Sequence, residues 1–245
     1  MASIVWGRHP QEAYDNPYEY EAQEQFIREA KELLIHMQLK LDRFTMTFHS
    51  DEQTLGKATW MLALDLMDAL YESVRLFEER RHRIAFRLSR DIMETIDLLW
   101  VLHSDTPRGE KALRLWYENE TIAHSESRKH IQEAEGKEKA FKRRDYYVQL
   151  SKFTHRTYRA LLKSFSLGRG NMLVHDSHSM GVLLLPQTIA SGLAVLADLI
   201  IQASECLKQC GPLEPEEIAN AWLVAIELST VPRRFAPTLP LDKYE

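Results

Sequence analysis

Five charged residues recur along one predicted helix at spacings of four, three, four and three: Arg83, Arg87, Arg90, Glu94 and Asp97. At about 100° per residue, these positions fall within a band of about 80° on one side of the helix. Arg90 and Glu94 are placed to pair with each other, and a guanidinium group suits phosphate. We expect this stripe to be either an ion-pair ladder between two helices or an arginine-lined pocket for an anion.

A second set of reactive side chains lies on a later predicted helix, where Tyr147, Ser151 and His155 share one side. His155 falls at the border between the apolar and basic faces of that helix. A histidine in this position can act as a general base or a proton switch. It can equally make a single hydrogen bond from a half-buried position.

The connection after that helix, residues 167–178, contains two glycines that flank Arg169. Backbone amides beside glycines can approach an anion closely. His175, Asp176 and His178 resemble fragments of a metal site, but the ligand spacings typical of zinc are absent. We therefore predict no metal site and no cofactor, and a solvated loop is the simpler interpretation of this segment.

Charge is distributed unevenly around these candidates. Residues 137–169 hold ten Lys or Arg against two acidic residues, whereas residues 10–32 hold seven acidic residues against two basic ones. A basic face on an acidic protein can bind RNA or another polyanion. Equally, the acidic segment can fold onto the basic one and cancel its field. The side chains expected to hold a nucleic-acid backbone are Arg143, Arg144, Lys152 and Arg156.

The elements that must position these residues are helices, since 9 Gly and 9 Pro leave few breaks in 245 residues. We predict an all-α, up-and-down bundle of about seven helices in a single domain over residues 1–245, which self-associates through an apolar helix face. An extended arm covers residues 1–19 and a proline-rich tail covers residues 231–245. Residues 182–201 are apolar at helical spacing and include Asp198, which predicts a core helix and no membrane span.

Local signals set the expected helix boundaries. The first helix runs from about residue 20 to Phe48, and Ser50 with Gln53 forms a capping box for the second, which reaches Phe77. The third helix ends at about His103, and the fourth runs from Pro107 to Gly136. The fifth covers about residues 138–166, and the sixth runs from Pro186 to Gly211. A short seventh helix begins at Pro215.

Two cysteines, Cys206 and Cys210, lie four residues apart in the sixth predicted helix and are expected to stay reduced. Residues 1–10 contain no basic region followed by an apolar run, which predicts a cytoplasmic protein without a signal peptide.

The run Arg87–Glu94 and the run Tyr147–His155 resemble those of uncharacterised bacterial helical families, over about residues 80–180. The layout is also similar to HEPN domains, a helical superfamily that includes many defence and toxin ribonucleases. Their active sites have an Arg, four to six further residues, and then a His, usually with a polar residue directly after the Arg. Arg169 and His175 match this spacing, although Gly170 follows the Arg. Arg43 with His49 and Arg75 with His82 match it as well, but the loop pair lies beside the basic segment.

The resemblance implies an RNA-binding or RNA-cleaving protein of a bacterial defence or toxin type. Arg169 and His175 would then act on the scissile phosphate and the 2′-hydroxyl. One alternative is a non-catalytic helical scaffold or sensor that binds a partner protein or a small anionic ligand. A second alternative is an HD-type metal phosphohydrolase, in which His175 and Asp176 would form the metal-binding pair. Whether the protein is an enzyme is left open by the sequence.

Overall fold

A computed structural model describes residues 18–43, 48–79, 81–104, 107–155, 158, 161, 165–167, 173–175, 183–184 and 186–210. The predicted arm, apart from its last two residues, lies outside the described residues. So do the helix predicted from Pro215 and the tail at 231–245.

Seven helices have both ends within the described residues, and they confirm the predicted all-α bundle. They are α1 (Tyr18–Arg43), α2 (Leu55–Glu78), α3 (His82–Leu102), α4 (Pro107–Tyr117), α5 (His124–Glu135), α6 (Lys137–Thr154) and α7 (Pro186–Cys210). Three short strands lie between α6 and α7: β1 (Phe165–Leu167), β2 (Leu173–His175) and β3 (Leu183–Leu184). They form an antiparallel sheet in the order β2-β1-β3.

Helix α3 is the central element, because it packs against α2, α4, α5, α6 and α7. Helix α1 packs against α2 and α7. Apolar residues recur at helical spacing along α1 and α2 and are buried in this core, which agrees with the helices predicted there. The largest fully buried side chains include Phe26, Leu34, Leu66, Leu70, Phe77, Phe86, Ile92, Ile96 and Leu99.

Helix α7 approaches the core closely through Gly192. A β-carbon at this position would lie 2.6 Å from both Cε1 and Cζ of Phe77 and 3.1 Å from Cζ of Phe86. These two rings, from α2 and α3, meet edge to face with their centroids 6.1 Å apart. The glycine therefore sets the distance between α7 and the α2–α3 pair.

The predicted capping box at Ser50 and Gln53 is wrong. Helix α2 begins at Leu55, and Oγ1 of its N-cap residue Thr54 accepts a hydrogen bond from the Lys57 amide at 3.3 Å. The Lys57 ammonium donates to the carbonyl oxygens of His49, Ser50 and Glu52, which holds the preceding turn in place. The N-cap therefore lies four residues later than the sequence pattern suggested.

The fourth predicted helix is interrupted, and the fifth ends earlier than expected. Residues 107–136 form two helices separated by a turn at residues 118–123, in which Asn119 has a positive φ of 59°. Helix α6 ends at Thr154, whose hydroxyl donates to the Ser151 carbonyl. Side chains that bond to the local backbone in this way compete with the helix. Strand β2 lies in the connection expected to be a loop, β1 covers the predicted end of the fifth helix, and β3 lies between that connection and Pro186.

Two other predicted ends are confirmed. Gly136, with φ +92°, ends α5, and Pro186 opens α7. Cys206 and Cys210 are buried and free, as expected. Among the described residues, no helix combines the length and apolar character needed to cross a bilayer.

Candidate functional site

One oxygen of Glu94 gathers side chains from three helices. Its Oε1 lies 2.5 Å from Nε of Arg90 on α3, 3.2 Å from the Tyr147 hydroxyl on α6 and 3.3 Å from Nε2 of His124 on α5. Cζ of Arg90 lies 5.1 Å from the Tyr147 ring centre, and the His124 and Tyr147 rings are 4.6 Å apart. We call these four residues the Glu94 cluster.

The Glu94 cluster is half-buried, which strengthens its contacts relative to an exposed ion pair. The hydrogen bond to Glu94 raises the pKa of Arg90, and burial together with Glu94 raises the pKa of Tyr147. Arg90 thus has a carboxylate and an aromatic ring as partners. This geometry fits the predicted ion-pair ladder between helices, while anion binding by Arg90 and Glu94 stays a prediction.

A second polar chain begins one helical turn further along α3, at the buried carboxylate of Asp97. Arg143 on α6 donates to Oδ1 of Asp97 from Nε at 2.8 Å and from Nη2 at 2.5 Å. It also donates from Nη1 to Oε1 of Gln202 on α7, whose amide nitrogen donates to Asp198 at 2.6 Å. Burial raises the pKa of Asp97, and Arg143 opposes that rise. We call this the Asp97–Arg143 chain.

The Asp97–Arg143 chain lines a pocket of about 640 Å³ between α3, α5, α6 and α7. This volume falls within the range of small-molecule sites, about 300–1,000 Å³. Trp100 and Tyr146 supply aromatic walls, and His130 lies at the α5 side. Four polar residues of α7 complete the lining: Asp198, Gln202, Glu205 and Gln209.

The opposite side of α6 is exposed and combines basic and apolar side chains with two acidic ones, Glu138 and Asp145. The Phe141 and Val148 side chains are 68% and 42% exposed. Lys137, Arg144 and Lys152 are exposed as well and lie within about 60° of Phe141 on the same side of the helix. We call these five basic and apolar residues the outer α6 face. Lys142, at its edge, is paired with Glu138 at 2.7 Å.

The structure separates the residues predicted to bind nucleic acid. Arg144 and Lys152 lie on the outer α6 face, whereas Arg143 points inward to Asp97. Arg156 lies outside the described residues. Within the described part of the chain, Arg143 is the one predicted site residue that lines the pocket.

The residues predicted to be catalytic are described only in part. His155 is exposed and directly follows the last residue of α6. Arg169 lies outside the described residues, and His175 is the last residue of β2, opposite Phe165 of β1. Asp176 and His178 also lie outside them. Within the described part of the chain, no three His, Cys, Asp or Glu residues are grouped so that they could hold a metal ion.

Sequence reasoning missed Tyr146 and the polar face of α7, although a signal for the latter was present. Asp198, Gln202, Glu205 and Gln209 are spaced by four, three and four residues, which places them on one side of α7. The interpretation of residues 182–201 as a core helix used the apolar positions and Asp198, but not the spacing of Asp198 to the polar residues that follow it.

Comparison with known proteins adds no assignment: no family model, no curated protein and no solved structure matches this chain.

Proposed function

We propose that this protein binds single-stranded RNA on the outer α6 face. The observation that carries the proposal is the exposed Phe141 ring, which lies among three exposed cations, Lys137, Arg144 and Lys152. Basic side chains follow the phosphate backbone, and an exposed aromatic ring offers a surface on which a base can stack. Neither contact requires a particular base, so we expect weak sequence preference.

The acidic segment of α1 supports this proposal by its position. Helix α1 packs against α2 and α7, while the cations of the outer α6 face are exposed. The basic field of α6 is therefore open to a polyanion in the part of the chain that the structure describes. The alternative ligand of the outer α6 face is a partner protein with an acidic surface. The RNA-binding measurement below distinguishes the two.

The cleaving form of the proposal derives from the resemblance to HEPN domains. In it, Arg169 and His175 act on the scissile phosphate and the 2′-hydroxyl, and His155 serves as a further proton-transfer group. His155 directly follows the helix that carries the outer α6 face, which supports placing it near bound RNA.

Binding is tested by fluorescence anisotropy with a labelled single-stranded RNA of about 20 nucleotides, at about 50 mM and about 200 mM salt. We expect F141A to weaken binding about 5- to 150-fold, because stacking of a base is worth about 1–3 kcal/mol. The double variant R144A/K152A should reduce the slope of log affinity against log salt by about 1.4, since two phosphate contacts are lost.

The matched controls are I35A, which removes an exposed apolar side chain from α1, and K111A/R114A, which removes two cations from α4. Both should leave RNA affinity unchanged. Absence of RNA binding by the wild type at low salt contradicts the proposal. It is also contradicted if F141A and R144A/K152A both bind RNA with the affinity of the wild type. RNA cleavage by the wild type that is lost in H175A supports the nuclease form, and intact RNA with the wild type removes it.

A further inference from the structure

The pocket between α3, α5, α6 and α7 lies on the inner side of α6, away from the outer α6 face. Lys139, Arg143 and Tyr146 line it and share the side of α6 that faces the bundle. None of the residues used for the RNA proposal lines this pocket. Its ligand can therefore be inferred from its own chemistry.

The cations that line the pocket all have carboxylate partners. Arg143 is bound to Asp97, Lys139 to Glu135, and Lys142 to Glu138. An anionic ligand would have to compete with a carboxylate for each of these groups. The pocket therefore has little free positive charge to offer.

Two carboxylates of α7 lack such a partner. Among the described residues, no cation lies within ion-pair distance of Asp198 or Glu205, although both line the pocket. Asp198 accepts a hydrogen bond from the neutral amide of Gln202. The pocket thus has an excess of negative charge, and it is concentrated on one helix.

The spacing of these carboxylates favours an extended cation over a metal ion. Seven residues of helix separate them, which corresponds to about 10.5 Å along the axis. A metal ion needs ligands that converge on one point, whereas a linear molecule with ammonium groups at its ends can reach both.

The remaining walls suit an organic cation. Trp100 supplies an indole ring, the side chain that attracts cations most strongly through its π face. Burial, reinforced by Arg108, lowers the pKa of His130, so its imidazole is neutral at pH 7 and does not repel a cation. The Tyr146 hydroxyl is shielded from solvent and lies beside Asp198, and burial together with that carboxylate raises the pKa of the phenol.

From this geometry we propose that the pocket binds a linear aliphatic diamine or polyamine, with one ammonium group at Asp198 and another at Glu205. The alkyl chain lies against Trp100, and the two carboxylates set the preferred distance between the ammonium groups.

The test is calorimetric titration of nucleic-acid-free protein with putrescine and spermidine. We expect saturable binding of at least one of them and a loss of about tenfold or more in D198N and in E205Q, because each removes a charge-assisted contact. Both positions are exposed, so these near-isosteric changes preserve the fold. E110Q, which removes one negative charge from α4, should bind the amine as the wild type does.

Two further measurements separate this proposal from general charge attraction and from RNA binding. Magnesium chloride at the same charge concentration should give no comparable heat, and F141A should bind the amine normally. The proposal is overturned by the absence of binding at millimolar amine, by unchanged affinity in D198N/E205Q, or by magnesium binding with equal affinity.

Discussion

Replacement of Arg143 by methionine is expected to lower the free energy of unfolding by about 3–5 kcal/mol. The Arg143 and Asp97 side chains are only 14% and 7% exposed, and two of the donors on Arg143 bind the same carboxylate oxygen. Loss of the guanidinium leaves a buried charge without its partner, which is far more costly than loss of an exposed ion pair. Urea denaturation of R143M and the wild type measures the difference.

The double variant D97L/R143M is the control for this prediction. Removing both charges eliminates the buried carboxylate that destabilises the single variant, so most of the lost stability should return. The cycle of D97L, R143M and the double variant gives the coupling energy between the two residues. A loss below about 1 kcal/mol in R143M would contradict a structural role for the Asp97–Arg143 chain.

The deficit of R143M should also depend on pH. Burial already raises the pKa of Asp97 in the folded protein, and without Arg143 it should rise further. A folded-state pKa above that of the unfolded chain means that the folded state binds more protons, so stability is gained as the pH falls through the folded pKa. R143M should therefore lie closer to the wild type at about pH 5 than at about pH 7.

The substitution G192A is expected to lower the free energy of unfolding by about 1–3 kcal/mol, although alanine favours a helix over glycine by about 1 kcal/mol. The added methyl group would lie 2.6 Å from two atoms of the Phe77 ring. The ring is fully buried and packed against Phe86, so it has no open space into which to move. The effect is measured by chemical denaturation.

The same substitution at Gly56 serves as the matched control. This glycine is exposed near the start of α2, and its nearest neighbour would be the Phe48 ring at 3.8 Å, an ordinary contact. G56A should therefore be neutral or stabilising by up to about 1 kcal/mol. Equal changes in the free energy of unfolding for G56A and G192A would contradict the clash predicted between the added methyl group at position 192 and Phe77.

Much of the bundle could be predicted from periodicity, because burial of one helix face leaves a regular pattern. Phe26, Leu66 and Ile200 each recur with other apolar residues at helical spacing, and all three are fully buried. The spacing from Arg90 to Asp97 likewise predicts one side of α3, and that helix packs against five others.

The sequence predicts that Arg143 holds a nucleic-acid backbone, but the structure binds it to Asp97 on α3. Arg143 was grouped with Arg144 because both lie in the same basic run, but adjacent residues in a helix point about 100° apart. Arg143 lies seven residues before Leu150, which is 1% exposed, so the two residues share the buried side of α6. The seven-residue spacing to Leu150 indicates the buried side of the helix for Arg143, whereas the surrounding basic residues suggested an exposed position.

The helix ends were harder to predict because they depend on backbone conformation. Asn119 lies in the turn after α4 with a positive φ, which asparagine tolerates better than most residues. No Gly or Pro marks that break, nor the end of α6 at Thr154. The strands between α6 and α7 pair with one another in a sheet, and such pairing is not visible in the pattern of a three-residue segment.

The Glu94 cluster has a consequence for how the sequence can change. Loss of His124 or of Tyr147 leaves the carboxylate its hydrogen bond from Arg90, whereas loss of Glu94 removes a contact that three side chains share. In a saturation library scored for folded protein, position 124 should therefore accept many residues and position 94 very few. The polar contacts that three helices make at this cluster thus depend on one side chain, Glu94.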